Sequence, residues 1–112
     1  MKTLKFEENL IKLILTKEKT STWRLFDNKN LSEGDILSLL NTKTKKEFAK
    51  AKINSIKETT FKELTEKDLE GHEKFSSKEE MYQTYSRYYS QKIHANTSLR
   101  IVRFKLLTQT ET

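Results

Sequence analysis

Cysteine and proline are absent from this 112-residue sequence, and glycine occurs only twice, at positions 34 and 71. Without cysteine, the chain can form neither a disulfide framework nor a thiolate zinc site, and a cysteine nucleophile is excluded. Apolar runs are also short, because the longest, residues 13–15, falls far below the roughly 20 residues that a membrane span needs. No signal-peptide core follows Met1. We therefore expect a soluble, cytoplasmic protein with no membrane partner.

Positive charge is in excess. Lysine and arginine total 22 against 16 acidic residues, which gives a net charge of +6, and only four of the 22 are arginine. Lysine-rich charge favours phosphate backbones and other polyanions through counterion release, without selecting a sequence. A solvated lysine surface that binds nothing is the alternative, and charge alone leaves both open.

The length fits one domain, residues 1–112, and the hydrophobic pattern predicts an α+β fold with about four strands and three helices. A helix is expected over residues 7–17, with a broad apolar stripe that would pack against a sheet and that consists of Phe6, Leu10, Ile11, Leu13, Ile14 and Leu15. Further helices are expected from a cap at Thr65 to Gly71, and after a capping box formed by Ser76 with Glu79 or Ser77 with Glu80. Strands are expected over residues 20–26, 35–40, 47–56 and 99–107, with a bulge near Asn54 and a lysine-rich turn at 42–46. Residues 108–112 are expected to fray.

One segment, residues 19–24, combines two cations, three hydroxyls and an aromatic ring. Cations and hydroxyls can hold a phosphate or a base edge, and an aromatic face can stack on a base. If the segment is a strand, Thr20, Thr22 and Arg24 share one face, and Ser21 and Trp23 share the other. They can line one pocket together only if Lys19 reaches around from the strand entrance. The alternative is a strand edge with a core tryptophan.

The remaining candidates are weaker. The two histidines, His72 and His94, lie far apart and have no recognisable spacing from carboxylates, so we expect no metal and no cofactor. Tyrosines on the face that runs from Met81 to Tyr89 are expected in the core, with Tyr85 or Tyr89 able to leave a hydroxyl at the rim of a cleft.

The order of motifs along the chain resembles the ASCH family. Lys-Thr-Ser-Thr-Trp-Arg at 19–24 is followed by Gly34-Asp35, by Phe-Lys-Glu-Leu-Thr-Glu at 61–66, by Glu-Lys-Phe-Ser at 73–76, by a tyrosine-rich helix and by Val-Arg-Phe at 102–104. The similarity extends from about residue 13 to residue 107. It implies a PUA-like β-barrel with flanking helices, and a cleft suited to RNA or a modified nucleoside. Of the arginines on the last strand, Arg103 is the one we expect at the cleft.

Small bacterial members of that family hydrolyse the acetyl amide of N4-acetylcytidine with a lysine, a threonine and a glutamate. The resemblance assigns these roles to Lys19, Thr22 and Glu73, with Glu70 as the alternative acid. It also implies that Thr20, Ser21, Trp23, Arg24 and Arg103 contact the ligand.

Three functions follow as hypotheses. The first is a binding domain for RNA, a nucleobase or a nucleoside. The second is an amidohydrolase that acts on N4-acetylcytidine or a related acylated nucleoside. The third is a protein-interaction module in which the basic charge is incidental.

Overall fold

A computed structural model describes residues 1–26 and 29–107 of the chain, and the predicted fraying of residues 108–112 lies outside them. The strands are β1 (Lys2–Phe6), β2 (Ser21–Arg24), β3 (Ile36–Asn41), β4 (Glu47–Thr60) and β5 (Ser98–Leu106). The helices are α1 (Glu8–Leu15), α2 (Glu66–Leu69) and α3 (Lys78–Tyr89), with a 3₁₀ turn at Phe61–Glu63. No helix in the described part of the chain is long and apolar enough to cross a membrane.

The five strands form one mixed sheet in the order β1-β3-β4-β5-β2. The pairing of β1 with β3 is parallel, and the other pairings are antiparallel. The sheet curls into a half-barrel whose two edges are β1 and β2. Arg24 links the edges, since its guanidinium donates to the Lys5 carbonyl oxygen at 3.3 Å and lies 5.1 Å from the centre of the Phe6 ring.

Two hydrophobic clusters pack against opposite faces of the sheet. Strand β5 contributes to both because its side chains alternate: Val102 and Phe104 join the cluster with α1, whereas Leu99 and Ile101 join the cluster with α3. The apolar stripe of α1 therefore packs against the sheet through Leu10, Ile11 and Ile14, whereas Leu15 of the predicted stripe is 48% exposed. Strand β2 alternates in the same way and places Trp23 in the α3 cluster.

Most predicted elements are confirmed. Thr65 caps α2 through a capping box with Asp68. Ser77 Oγ accepts a hydrogen bond from the Glu80 amide, so Ser77 is the N-cap of α3, whereas the Glu80 carboxylate accepts from the Ser76 amide. The second of the two predicted capping boxes is therefore formed only in part. The register of β4 against β5 shifts between Ile53 and Ser55, which confirms the bulge near Asn54.

Two predictions about strands were incomplete. Strand β4 continues beyond residue 56 to Thr60, because the bulge resets its alternation and β5 is long enough to pair with it. Strand β1 was missed, since Phe6 was assigned to the apolar stripe of the first helix. Leu4 and Phe6 are buried while Lys5 is exposed, which is the alternation of a strand with one buried face.

Candidate functional site

A cavity of about 260 Å³ lies where the two edges of the half-barrel face each other and α3 covers the gap. We call it the cleft. Its walls come from β1 and the start of α1, from Lys19 and strand β2, from the loop at Glu73, and from the last two turns of α3. The volume is slightly below the roughly 300–1,000 Å³ of pockets for drug-sized ligands, so the cleft suits a ligand the size of a nucleobase or small nucleoside.

An ion pair occupies one wall of the cleft. The Lys19 ammonium donates to Glu73 Oε1 at 2.5 Å, although the two residues are 54 positions apart. The Lys19 side chain is only 2% exposed and that of Glu73 15%. Burial lowers the pKa of Lys19 below its usual value, and the Glu73 carboxylate opposes but does not cancel that effect. A buried lysine whose pKa lies below its usual value and that contacts a carboxylate is suited to proton transfer.

Glu73 remains ionised. Burial alone would raise its pKa, but electrostatic interactions with the adjacent His72 ring and the Lys19 ammonium, together with the hydrogen bond from Lys19, bring the pKa below its ordinary value. The carboxylate is therefore available as a proton acceptor at neutral pH.

His72 supports the loop that carries Glu73. Its ring stacks on Trp23 with centroids 3.9 Å apart, its Nδ1 lies 2.9 Å from the Glu73 carbonyl oxygen, and its Nε2 lies 2.9 Å from the Tyr85 hydroxyl. A carbonyl oxygen only accepts, so Nδ1 carries the proton and Nε2 accepts from Tyr85. Burial, together with the nearby Lys19 charge, lowers the His72 pKa to about 4. The imidazole is thus neutral at pH 7 and fixed in one tautomer.

Gly71 holds the same loop against the start of β2. Its carbonyl oxygen accepts from the amides of Thr20 and Ser21 at 2.7 and 3.1 Å. A Cβ at position 71 would lie 2.1 Å from the Thr20 hydroxyl oxygen, and the φ angle of +76° also favours glycine. The absence of a side chain therefore allows the approach that brings Glu73 to Lys19.

Thr22 shares the cleft with this ion pair. It is 5% exposed and lines the cavity, and no side chain or main-chain group of the described residues forms a hydrogen bond with its hydroxyl. Arg24 lines the same cavity from the same face of β2, as alternation predicts. Lys19 precedes the first residue of the strand and reaches the cavity from there.

The outer edge of β2 presents main-chain groups beside the cleft. The Phe104 amide donates to the Thr20 carbonyl oxygen, so in this antiparallel ladder the main-chain groups of Thr22 and Arg24 point toward β5. Those of Ser21, Trp23 and Leu25 point the other way. The Ser21 amide is bound by Gly71 and the Leu25 amide by the Tyr89 hydroxyl. The Trp23 amide and carbonyl between them provide a donor and an acceptor next to the cleft wall.

Helix α3 contributes three tyrosines to the cleft, in different environments. Tyr85 is buried, as expected for the core, and Tyr89 uses its hydroxyl to bind strand β2. Tyr88 is 36% exposed and lies at the cleft. The sequence did not single out Tyr88 or the cleft residues of β1. The exposure of each tyrosine depends on where β1 and α1 end, and the sequence pattern does not give that position.

Several predicted ligand contacts lie elsewhere. Ser21 is fully buried, and the Trp23 ring stacks on His72 and packs against Tyr85, so both side chains belong largely to the interior. Arg103 does not line the cleft; its guanidinium donates to the carbonyl oxygens of Glu70 and Lys67 at 2.9 and 2.6 Å.

Thr20 and Arg103 instead line a separate cavity of about 350 Å³, to which Lys19 also contributes. Of the two candidate acids, Glu73 lines the cleft and Glu70 does not. Across residues 1–26 and 29–107, no group of three or more histidine, aspartate or glutamate side chains is arranged to hold a metal ion.

Comparison with known proteins identifies the fold. No family model matches the sequence, and no curated protein sequence is significantly similar to it. Solved structures do match. The ASCH domain from Lactobacillus crispatus JV V101 superimposes with a TM-score of 0.64 and 20% identity, over 85% of this chain and 68% of the other.

Two further structures match over almost the whole chain. Protein EF3133 from Enterococcus faecalis V583, of family DUF984, gives a TM-score of 0.76 at 13% identity, over 96% of this chain and 76% of the other. The hypothetical protein PH0355 gives 0.72 at 26% identity, over 96% and 100%. The chain therefore has the α+β, PUA-like fold of ASCH domains, in the form of a five-stranded half-barrel with three α-helices.

Proposed function

We propose that the cleft binds a cytidine-type nucleoside acylated on its exocyclic amine, and that the protein hydrolyses this amide. The observation that carries the proposal is the convergence of Lys19, Thr22 and Glu73 on one cavity, with Lys19 and Glu73 in direct contact. An amide hydrolase needs a nucleophile, a base that takes its proton and an acid for the leaving amine. These three side chains can supply all three, and N4-acetylcytidine is the substrate that the resemblance to small ASCH hydrolases suggests.

In the first half of this reaction, Thr22 Oγ1 adds to the acyl carbonyl carbon. Lys19 passes one of its protons to Glu73 along their hydrogen bond and takes the hydroxyl proton of Thr22, so the lysine ends charged and the glutamate neutral. The carbonyl oxygen becomes an oxyanion, which the ammonium group stabilises. The tetrahedral intermediate then collapses: the C–N bond breaks, Glu73 protonates the amine nitrogen, and an acyl ester remains on Thr22.

Water completes the cycle by the same route. It adds to the ester carbonyl while the Lys19–Glu73 pair takes its proton, and the second intermediate collapses as the bond to Thr22 Oγ1 breaks and that oxygen regains a proton. Cytidine and the free carboxylic acid are the products. Thr22, Lys19 and Glu73 return to their starting protonation states.

Recognition of the base uses the rest of the cleft. The amide and carbonyl of Trp23, for which the described residues provide no hydrogen-bond partner, offer a donor and an acceptor side by side, a pattern that matches the edge of a nucleobase. The partly exposed Tyr88 ring offers a stacking surface. Both features suit a planar heterocycle better than an extended aliphatic amide.

The test uses two substitutions at Thr22 and measures binding and turnover separately. Thr22→Val keeps the shape of the side chain but lacks the hydroxyl, so we expect turnover of N4-acetylcytidine to vanish while nucleoside binding persists. Thr22→Ser retains a nucleophile and should keep measurable turnover. Turnover by Thr22→Val at the wild-type rate would exclude the threonine ester, and absence of turnover in the folded wild-type protein would exclude the hydrolase.

RNA binding is the second candidate, and the net charge of +6 favours it. In this case the cleft holds a base of single-stranded RNA, and lysines outside the cleft contact its phosphates. Such binding weakens steeply with salt, whereas the hydrolysis of a free nucleoside responds little. Titration of a short oligoribonucleotide at several salt concentrations separates the two.

A further inference from the structure

A second cavity, of about 390 Å³, lies on the other side of Glu73 from the cleft. We call it the side groove. Glu73 lines both cavities, so the two are neighbours that share a wall. The floor of the side groove is apolar and includes Leu64, Phe75 and the 45% exposed Leu69. An exposed leucine beside a partly exposed phenylalanine is surface that a ligand could cover.

Three lysines surround this apolar floor: Lys62, Lys74 and Lys78. All three are exposed, and in the described part of the chain none of them contacts a carboxylate. Among the described residues that line the groove, the only acidic side chain is Glu73, which is already bound to Lys19. The lining of the groove therefore combines three lysines that lack a carboxylate contact among the described residues with an apolar surface, so its ligand should combine an anionic group with a flat apolar one.

We propose that the side groove is a second nucleotide subsite, which receives the nucleotide next to the one whose base occupies the cleft. The base of that nucleotide covers Phe75 and Leu69, and the lysines contact the phosphates on either side of it. A nucleotide meets both requirements of the groove, and the shared wall at Glu73 places the two sites next to each other, as consecutive nucleotides of one strand require. The identity of the cleft ligand rests on the proposed function, whereas the groove's preference for a nucleotide rests on its own charge and lining.

The experiment compares two triple variants with the same change of charge. In the groove variant, Lys62, Lys74 and Lys78 become alanine; in the control variant, Lys43, Lys45 and Lys46 of the turn between β3 and β4 become alanine. The probes are cytidine and a short single-stranded oligoribonucleotide that contains cytidine. Binding of each is measured at several salt concentrations.

We expect the groove variant to lose at least about tenfold in affinity for the oligoribonucleotide, and its salt dependence to become shallower by about 0.7 in log–log slope for each phosphate contact removed. Its affinity for cytidine should match that of the wild type. The control variant should lose less oligoribonucleotide affinity than the groove variant.

Three results would overturn the subsite. They are unchanged oligoribonucleotide binding by the groove variant, equal losses in the two triple variants, and a parallel loss of cytidine binding, which would show damage to the cleft.

Leu69→Glu offers an independent check, because a carboxylate on the floor should repel the nucleotide without affecting cytidine. If a peptide with acidic and aromatic residues binds the groove in place of the oligoribonucleotide, the site belongs to a protein partner. A protein that fails to hydrolyse N4-acetylcytidine but shows the expected groove effect would refute the hydrolase and leave the subsite standing.

Discussion

Acidification should destabilise this protein in a window set by His72. The histidine pKa falls from 6.5 to about 4 in the folded state. Between these values the unfolded chain binds a proton that the folded chain excludes, so the free energy of unfolding falls as pH falls. The stability that the protein owes to a neutral His72 is fully present above pH 6.5 and is lost as the pH approaches 4. A difference of 2.5 pKa units is worth about 3 kcal/mol, a large part of the roughly 5–15 kcal/mol typical of a domain.

The physical cause lies in the hydrogen bonds of the ring. Nδ1 donates to the Glu73 carbonyl oxygen, and Nε2 accepts from the Tyr85 hydroxyl. A proton added at Nε2 would remove that acceptor and place a charge beside Lys19 in a site that is only 1% exposed.

The assay is urea unfolding at pH values from 4 to 7, followed by circular dichroism and by the fluorescence of Trp23, the only tryptophan. His72→Gln should flatten the pH dependence in this window whatever the overall stability of the variant. The slope of the unfolding free energy against pH depends on how many more protons the unfolded chain binds than the folded chain, and glutamine binds none. His94→Gln should keep the wild-type slope. If His72→Gln retains the full slope, the buried neutral histidine is not its source.

Three further predictions follow from the cleft. Glu73→Gln should destabilise the protein by about 3–5 kcal/mol in denaturant titrations, because it leaves buried Lys19 without its partner. Adding Lys19→Met should recover part of this loss. Equal losses in the single and double variants would refute the coupling of the two residues. Gly71→Ala should cost more than about 1 kcal/mol, and Thr20→Ala should partly relieve it; a neutral Gly71→Ala would contradict the close approach. Tyr88→Ala should weaken nucleoside binding by about 1–3 kcal/mol in calorimetry without lowering the midpoint of unfolding, and unchanged affinity would show that Tyr88 does not stack.

Local patterns predicted the elements whose signals are themselves local. The N-caps at Thr65 and Ser77 and most of the apolar stripe of α1 are encoded within a few residues, and these are found in the structure. Strand β1 was missed because its pairing with β3 is parallel and distant in sequence. Its five residues also carry no turn signal that separates them from the helix that follows.

The site was predictable only in part. Lys19 and Thr22 stand in one conspicuous run, but the choice between Glu70 and Glu73 depends on where α2 ends and on how closely Gly71 approaches β2. The spacing of residues in the sequence does not predict this packing. Arg103 was predicted at the cleft but lies elsewhere. Its guanidinium donates hydrogen bonds to carbonyl oxygens at the end of α2, a contact that the sequence pattern did not indicate.

The most direct test of the proposed chemistry is incubation of the purified wild-type protein with N4-acetylcytidine, with chromatography of the nucleoside and intact-protein mass measurement after rapid quenching. Conversion to equal amounts of cytidine and acetate, with a transient acetyl group located on Thr22, is the predicted result. Folded protein that binds the nucleoside but releases no cytidine, or cytidine release with no involvement of Thr22, would contradict the mechanism proposed for the cleft.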